Sequence, residues 1–201
     1  MSSSTPPAQG RPRDPAVEGA ILRATRELLV EKGFAGMTVD AVANAAHCGK
    51  AAVYRRWPSK TALVVAAVRE VYEPPPVPNT GSLRGDVLAC ILHYTRADEQ
   101  AALALASLLS ANSAHPDLKQ ASYESIGRHP VAALRAVLER WVERGAILPS
   151  TRTDVIAGLV PILASSSILT QRRGLRESDA IDLVDHVLLP ALTVGITPSA
   201  P

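Results

Sequence analysis

Four prolines fall within five positions in the segment Glu73-Pro-Pro-Pro-Val-Pro78, and no regular element can run through them. Proline has no amide hydrogen to donate and its ring locks φ, so a helix or central strand must stop on one side and begin afresh on the other. Asn79-Thr80-Gly81 adds turn-forming residues, so 73–81 is expected to be an extended, Pro-rich linker between two separately organised parts of the chain.

Both parts read as helix. Apolar residues make up 47% of the 201 positions, enough for a substantial core, yet aromatics are only 3% and β-branched residues never alternate with a strand's period of two. Ala, Leu and Val recur at helical spacing instead, and the expected fold class is all-α. Residues 1–15, rich in Ser, Pro and Gly and closing on Gly10-Arg-Pro-Arg13, are expected to form a disordered basic tail. Val17, Ala20, Ile21, Ala24 and Leu28 then form the stripe of a first helix that Gly33 stops. Thr38 caps a short second helix, with Asp40 in its first turn where a carboxylate complements the helix dipole. Val39, Val42, Ala43 and Ala46 are its buried stripe. His47-Cys-Gly49 breaks the pattern, and Lys50 to Arg56 can make two more helical turns before Pro58. Ser59 caps a fourth helix through Leu63, Val64, Ala67, Val68 and Val71. Beyond the linker the periodicity predicts helices at about 82–94, 97–113, 116–127, 130–144, 152–171 and 177–194.

Charge is placed unevenly along this string of helices. Residues 1–72 hold ten Lys/Arg against six Asp/Glu, whereas residues 73–201 hold eleven against thirteen. Between Ala41 and Arg69 stand Lys50, Arg55, Arg56, Lys60 and Arg69 with no acidic residue. Such a basic face suits a polyanion-binding module, and equally a solvated helical surface.

Helix, three-residue turn and short helix is the geometry of a helix-turn-helix, whose second member enters the DNA major groove. Lys50, Tyr54, Arg55 and Arg56 supply donors that reach bases or phosphates, and Ala51 and Ala52 let the backbone come close. Val53 and Trp57, four apart, face inward as anchors. Ser59 and Lys60 at the start of the fourth helix can grip a phosphate, and so can Thr38, although capping alone accounts for it too.

Thr38-Val-Asp-Ala-Val-Ala-Asn-Ala-Ala46 followed by Lys50-Ala-Ala-Val-Tyr-Arg-Arg-Trp-Pro-Ser-Lys-Thr-Ala-Leu63 resembles the N-terminal domain of TetR-family transcriptional regulators, over residues 15–68. The resemblance implies an all-helical homodimer whose first three helices read DNA. It also implies a larger C-terminal part that binds a small molecule and dimerises through its last two long helices. The chain then divides into the tail at 1–15, a DNA-binding domain at 16–72, the linker at 73–81 and a ligand-binding and dimerisation domain at 82–196. The positions matching Thr38, Lys50, Ala51, Ala52, Tyr54, Arg56 and Lys60 are expected to meet DNA; Arg55 either meets it or packs against the domain. Three positions depart from the family pattern: His47 replaces a turn glycine, Gly49 a Ser or Thr cap, and Ala52 a frequent hydroxyl.

Val155, Ile156, Leu159, Val160, Ile162 and Leu163 give helix 152–171 a broad apolar face, and Ile181, Val184, Val187, Leu188 and Leu192 do the same for 177–194. Pairing these across a two-fold axis would make a dimer; a monomer core is the alternative. Cys90, His93, Tyr94, Tyr123, Trp141 and Ser166 are polar or aromatic residues on apolar helices and so candidates to line an effector pocket, or else ordinary core and surface residues. With a single Phe in the chain, a mainly aliphatic pocket for a small lipophilic effector is expected.

Cys48 and Cys90 are the only cysteines, no CxxC or second ligand cluster accompanies His47-Cys48, and no cofactor, metal or catalytic motif is recognisable. The start lacks a secretory core, no stretch of eighteen uninterrupted apolar residues occurs, and a cytoplasmic protein without a membrane partner is expected. The function that follows is a ligand-responsive, non-enzymatic repressor released from a quasi-palindromic operator. The alternative is a small-molecule binding protein that has lost DNA recognition.

Overall fold

The computed structural model describes residues 15–193, all of whose regular structure is helical. Residues 1–14 of the tail predicted at 1–15 and the last residues of the predicted C-terminal domain lie outside this range, while Pro15 opens the first helix instead of closing the tail. A head of four helices comes first: α1 (Pro15–Gly36), α2 (Val39–Ala45), α3 (Lys50–Tyr54) and α4 (Lys60–Arg69). Gly33, at φ 67°, interrupts α1 as its left-handed preference dictates. Extended chain across the proline run leads to the body, made of α5 (Leu83–Leu92), α6 (Glu99–Ala111), α7 (Pro116–Ser122), α8 (Arg128–Glu143), α9 (Thr153–Gln171), α10 (Glu177–Leu183) and α11 (Leu189–Thr193).

The sequence predicts separate helices at 116–127 and 130–144. Instead α7 and α8 form one rod joined by a π-helical turn at Tyr123–Gly127. A second π turn, Val184–Leu188, joins α10 to α11. Each lies just ahead of a proline, Pro130 or Pro190, whose missing amide hydrogen already deprives the preceding turn of a bond.

Two apolar cores hold these helices. The first gathers Ile21, Leu22, Leu29, Met37, Val42, Val53, Leu63 and Val64 from the head, together with Ala104, Leu108 and Leu118 from α6 and α7. The second contains Val87, Ile91, Leu134, Leu138, Val160, Val184 and Leu188 from α5, α8, α9 and the last helices. The proline run therefore separates the helices along the chain without separating the first core.

The linker itself is tied down by Asp86, which is fully buried in the first turn of α5. One carboxylate oxygen accepts from the amide and, at 2.8 Å, the hydroxyl of Thr80. The other accepts from Trp141 Nε1 at 2.9 Å and Arg140 Nη2 at 2.7 Å. The same Arg140 nitrogen donates to the Pro78 carbonyl. Burial pushes the Asp86 carboxyl upward, but the Thr80, Trp141 and Arg140 donors outweigh it and leave its pKa below the ordinary carboxylate value.

Among the described residues α9 is the one helix long and apolar enough, by length and composition, to cross a membrane. It owes that composition to two faces. Ile156, Ala157, Val160, Ala164 and Ile168 are buried in the body, whereas Val155, Leu159, Ile162, Leu163 and Leu169 are exposed, Ile162 at 65%.

Replacing Asp86 with Ala leaves Trp141 Nε1 and the Arg140 guanidinium without their shared acceptor. The expected loss is about 3–5 kcal/mol of unfolding free energy in denaturant titrations. Because the folded carboxyl titrates below its unfolded value, its stabilisation is complete above about pH 4 and fades as pH falls through the lower folded value. Melting curves of the wild-type protein should steepen in that acid window more than those of the Ala variant; parallel curves would contradict this role.

Candidate nucleic-acid interface

The helix-turn-helix is built by local rules. Thr38 stands in extended conformation and its hydroxyl accepts from the Ala41 amide at 3.1 Å, satisfying one free donor at the start of α2. At the other end, the Cys48 amide donates to the Ala43 carbonyl at 2.9 Å and the His47 amide to the Asn44 carbonyl at 3.1 Å. This is the Schellman pairing, which requires a left-handed residue between helix and exit chain. His47 fills that place at φ 50°, so the turn keeps the left-handed conformation that glycine ordinarily supplies. Gly49 then caps α3 with backbone alone.

Val53 is 1% exposed and Trp57 packs against the same core, as anchors must. Cys48, half-buried, also packs there. Around these anchors the outward positions diverge. Thr38, Lys50, Ala51, Tyr54 and Arg55 are exposed, whereas Ala52 is half-buried. Arg56, expected among the outward donors, turns inward with only 11% of its side chain exposed. Its Nη1 donates to the Ala52 carbonyl at 3.0 Å and its Nε lies 3.8 Å from Glu18 on α1. Arg55 is the free arginine of the pair.

Lys60, at the start of α4, sits 4.5 Å over the centroid of the Phe34 ring, and its Nζ is 3.4 Å from the Ala35 carbonyl. The other neighbour of that ring is His115, at 4.8 Å, from the beginning of the body's α7. Burial lowers the Lys60 pKa. Lys50 instead gains a partner that periodicity alone does not reveal: its Nζ lies 2.9 Å from the Asp40 carboxylate, and this hydrogen bond raises its pKa.

The tip of the head thus presents Thr38, Lys50, Tyr54, Arg55, Ser59 and Lys60 on and beside a helix-turn-helix. A profile described as bacterial regulatory proteins, tetR family, matches residues 21–67, and one described as the tetracyclin repressor-like C-terminal domain matches residues 77–187. The chain belongs to the TetR family. An uncharacterized HTH-type transcriptional regulator of Mycobacterium tuberculosis is 38% identical over 192 residues, 91% of this chain and 93% of the relative. The DNA-binding transcriptional repressor TetR of Mycobacteroides abscessus is 30% identical over 191 residues, 88% of this chain and 94% of that protein. The structure of FadR from Bacillus subtilis, solved with stearoyl-CoA, shares the fold with a TM-score of 0.68 at 15% identity, covering 87% of this chain and 97% of FadR. This TetR-family chain is accordingly a DNA-binding transcriptional regulator with an all-helical, two-part architecture.

The candidate pocket residues of this regulator do not converge. Cys90 is buried in the second core, where desolvation pushes its thiol up to about 12, and Tyr94 packs against that core. Trp141 is committed to Asp86, while Tyr123 and Ser166 lie on the surface. Among these six, His93 lines a cleft of about 270 Å³, which opens between the end of α4 and the end of α5 and is lined also by Glu70, Tyr72, Glu73 and Arg96. Burial, and then the Arg96 charge, lower the His93 pKa; the Tyr72 hydroxyl is buried without a hydrogen-bond partner. A sequence pattern cannot find this cleft, because its two walls are twenty residues apart and meet only through the docking of α4 on the body.

Left-handed backbone costs an L-residue about 1–2 kcal/mol, and glycine gives back about 0.4–1 kcal/mol through its freer unfolded chain. His47→Gly should therefore stabilise the protein by about 0.5–1 kcal/mol, read from denaturant midpoints. A loss of stability would mean that the imidazole makes a compensating contact.

Proposed function

We propose that this regulator is a dimeric, ligand-responsive repressor that sets two recognition helices α3 in successive major grooves of a quasi-palindromic operator, about 34 Å apart. The observation that carries this reading is the tip of the head, where Lys50, Tyr54 and Arg55 stand outward from α3 and Lys60 flanks them at the start of α4. Thr38, Ala51 and Ala52 complete the contact surface. Arg56 serves by bracing α3 on α1. We read the role as a non-enzymatic one, as the family match supports, and place the protein in the cytoplasm beside its DNA.

The exposed aliphatic stripe of α9, with Val187 from the last helical segment, supports dimerisation through the two C-terminal helices. Burying each such side chain is worth about 1.5–3 kcal/mol, so a handful on each partner suffices for a stable pair. Ile162→Glu is expected to yield monomers in analytical ultracentrifugation and to abolish cooperative operator binding; a dimer that survives this change would place the interface elsewhere.

For the effector we favour the cleft between α4 and α5. Its Glu73, Arg96 and His93 suit a polar molecule better than the lipophilic one that the scarcity of aromatics implies. A ligand there touches the end of α4 directly, and it can release DNA only by binding differently to the two dispositions of the head.

Selection from random duplexes should enrich a palindrome. On that duplex Lys60→Ala should weaken binding of all sequences and reduce the salt slope by about one, whereas loss of Lys50 should relax base preference. Absence of any enriched sequence would favour the alternative, a ligand-binding protein without DNA recognition, which the missing hydroxyls at Gly49 and Ala52 would then explain.

A further inference from the structure

The Lys50–Asp40 pair is not accounted for by stability. Its partners are 53% and 61% exposed, and exposed ion pairs contribute about 0–1 kcal/mol. Nor is Lys50 well placed for its own helix, since a cation at the first helical position opposes the positive end of the dipole. What distinguishes the pair is location. Asp40 belongs to the first turn of α2 and Lys50 opens α3, so the bond spans the two helices of the helix-turn-helix and holds a lysine that the proposed function sets against DNA. Asp40 is also the last acidic residue before an all-basic stretch that runs from Ala41 to Arg69. A carboxylate at such a surface repels every phosphate that approaches, and non-specific DNA binding is almost entirely phosphate attraction.

We propose that Asp40 is a specificity-determining positioning residue, which holds the Lys50 ammonium away from the backbone of random DNA and yields it where a base edge offers acceptors. This rests on the DNA-binding reading above. On random sequence the exchange is poor, because Lys50 trades one carboxylate for one phosphate while Asp40 is left facing the polyanion. At the operator, guanine O6 and N7 offer a bidentate acceptor in the groove, a contact worth more than the pair that is broken. Asp40 thereby taxes wrong sites more than the right one, which is how discrimination is gained without a new attractive contact.

The test uses the full chain with two duplexes: one selected from random DNA by the wild-type protein, and a scramble of the same composition. Titrations at several salt concentrations compare wild type, Asp40→Asn, Asp40→Glu, Lys50→Met and the double variant Asp40→Asn/Lys50→Met, with thermal melts confirming that each is folded. Asp40→Asn should tighten binding to the scramble about 3- to 10-fold at low salt and steepen its log–log salt slope by about one, with a smaller gain on the selected duplex. Asp40→Glu should keep the wild-type ratio. In the Lys50→Met background the effect of Asp40→Asn should fall by at least half. Equal changes on both duplexes, no change on either, or an effect undiminished by Lys50→Met would each overturn the proposal while leaving the DNA-binding reading intact. Failure of the wild type to select any duplex would instead overturn that reading and this one with it.

Discussion

The seam between α1 and α6 is the contact on which the other parts of this protein depend. Ala104 and Leu108, on α6, are buried with Ile21 and Leu29, on α1, and Leu118 joins them from α7. Ala104 is small and fully buried there, so that part of the seam is filled by the larger side chains of the head. Without it, Ile21 and Leu29 of α1 would lose buried neighbours. With it, the orientation of α2 and α3 is fixed relative to the body through α1 and α4, the helices on which they rest.

Beyond that seam, polar and ring contacts tie together the helices of the head, the head to α7, and the linker to the body. Arg26 on α1 reaches the Ala67 carbonyl and the Glu70 carboxylate at the end of α4. Phe34 lies between Lys60 of the head and His115 of the body. Asp86 gathers the linker and α8 at one buried carboxylate. The cleft at Tyr72 and His93 interrupts this set of contacts. A molecule lodged there would bear on α4, whose first residue is Lys60.

The elements that local chemistry dictates were legible in the sequence. Thr38 and Ser59 cap helices where hydroxyls precede an apolar stripe, Gly33 interrupts α1, and the proline run lies between α4 and α5. The anchors Val53 and Trp57 follow from their spacing of four. What was not legible depends on which residues meet across distance. Helical spacing makes Arg55 and Arg56 equivalent donors, whereas the Ala52 carbonyl and Glu18 on α1 hold Arg56 inward. Trp141 reads as an aromatic on an apolar helix and a pocket candidate until Asp86, fifty-five residues earlier, claims its indole N–H. The break expected near residues 128–129 is absent because a π turn absorbs Pro130, a backbone adjustment that composition does not signal. The Lys50–Asp40 bond likewise needs the turn at His47 to bring two helix starts together.

The sharing of α6 and α7 with the first core bears on how a chain like this can evolve. A recombination joint placed in the proline run would look safe from the sequence, since it separates one recognisable segment from another. It would nevertheless strip the head of Ala104, Leu108 and Leu118 and hand it whatever the new body offers in their place. DNA-reading and effector-reading parts are therefore not freely interchangeable pieces here. Inheritance of a new head is constrained by a handful of buried methyl groups on the far side of the linker, so divergence by point substitution at exposed positions disturbs the fold less than exchange of whole segments.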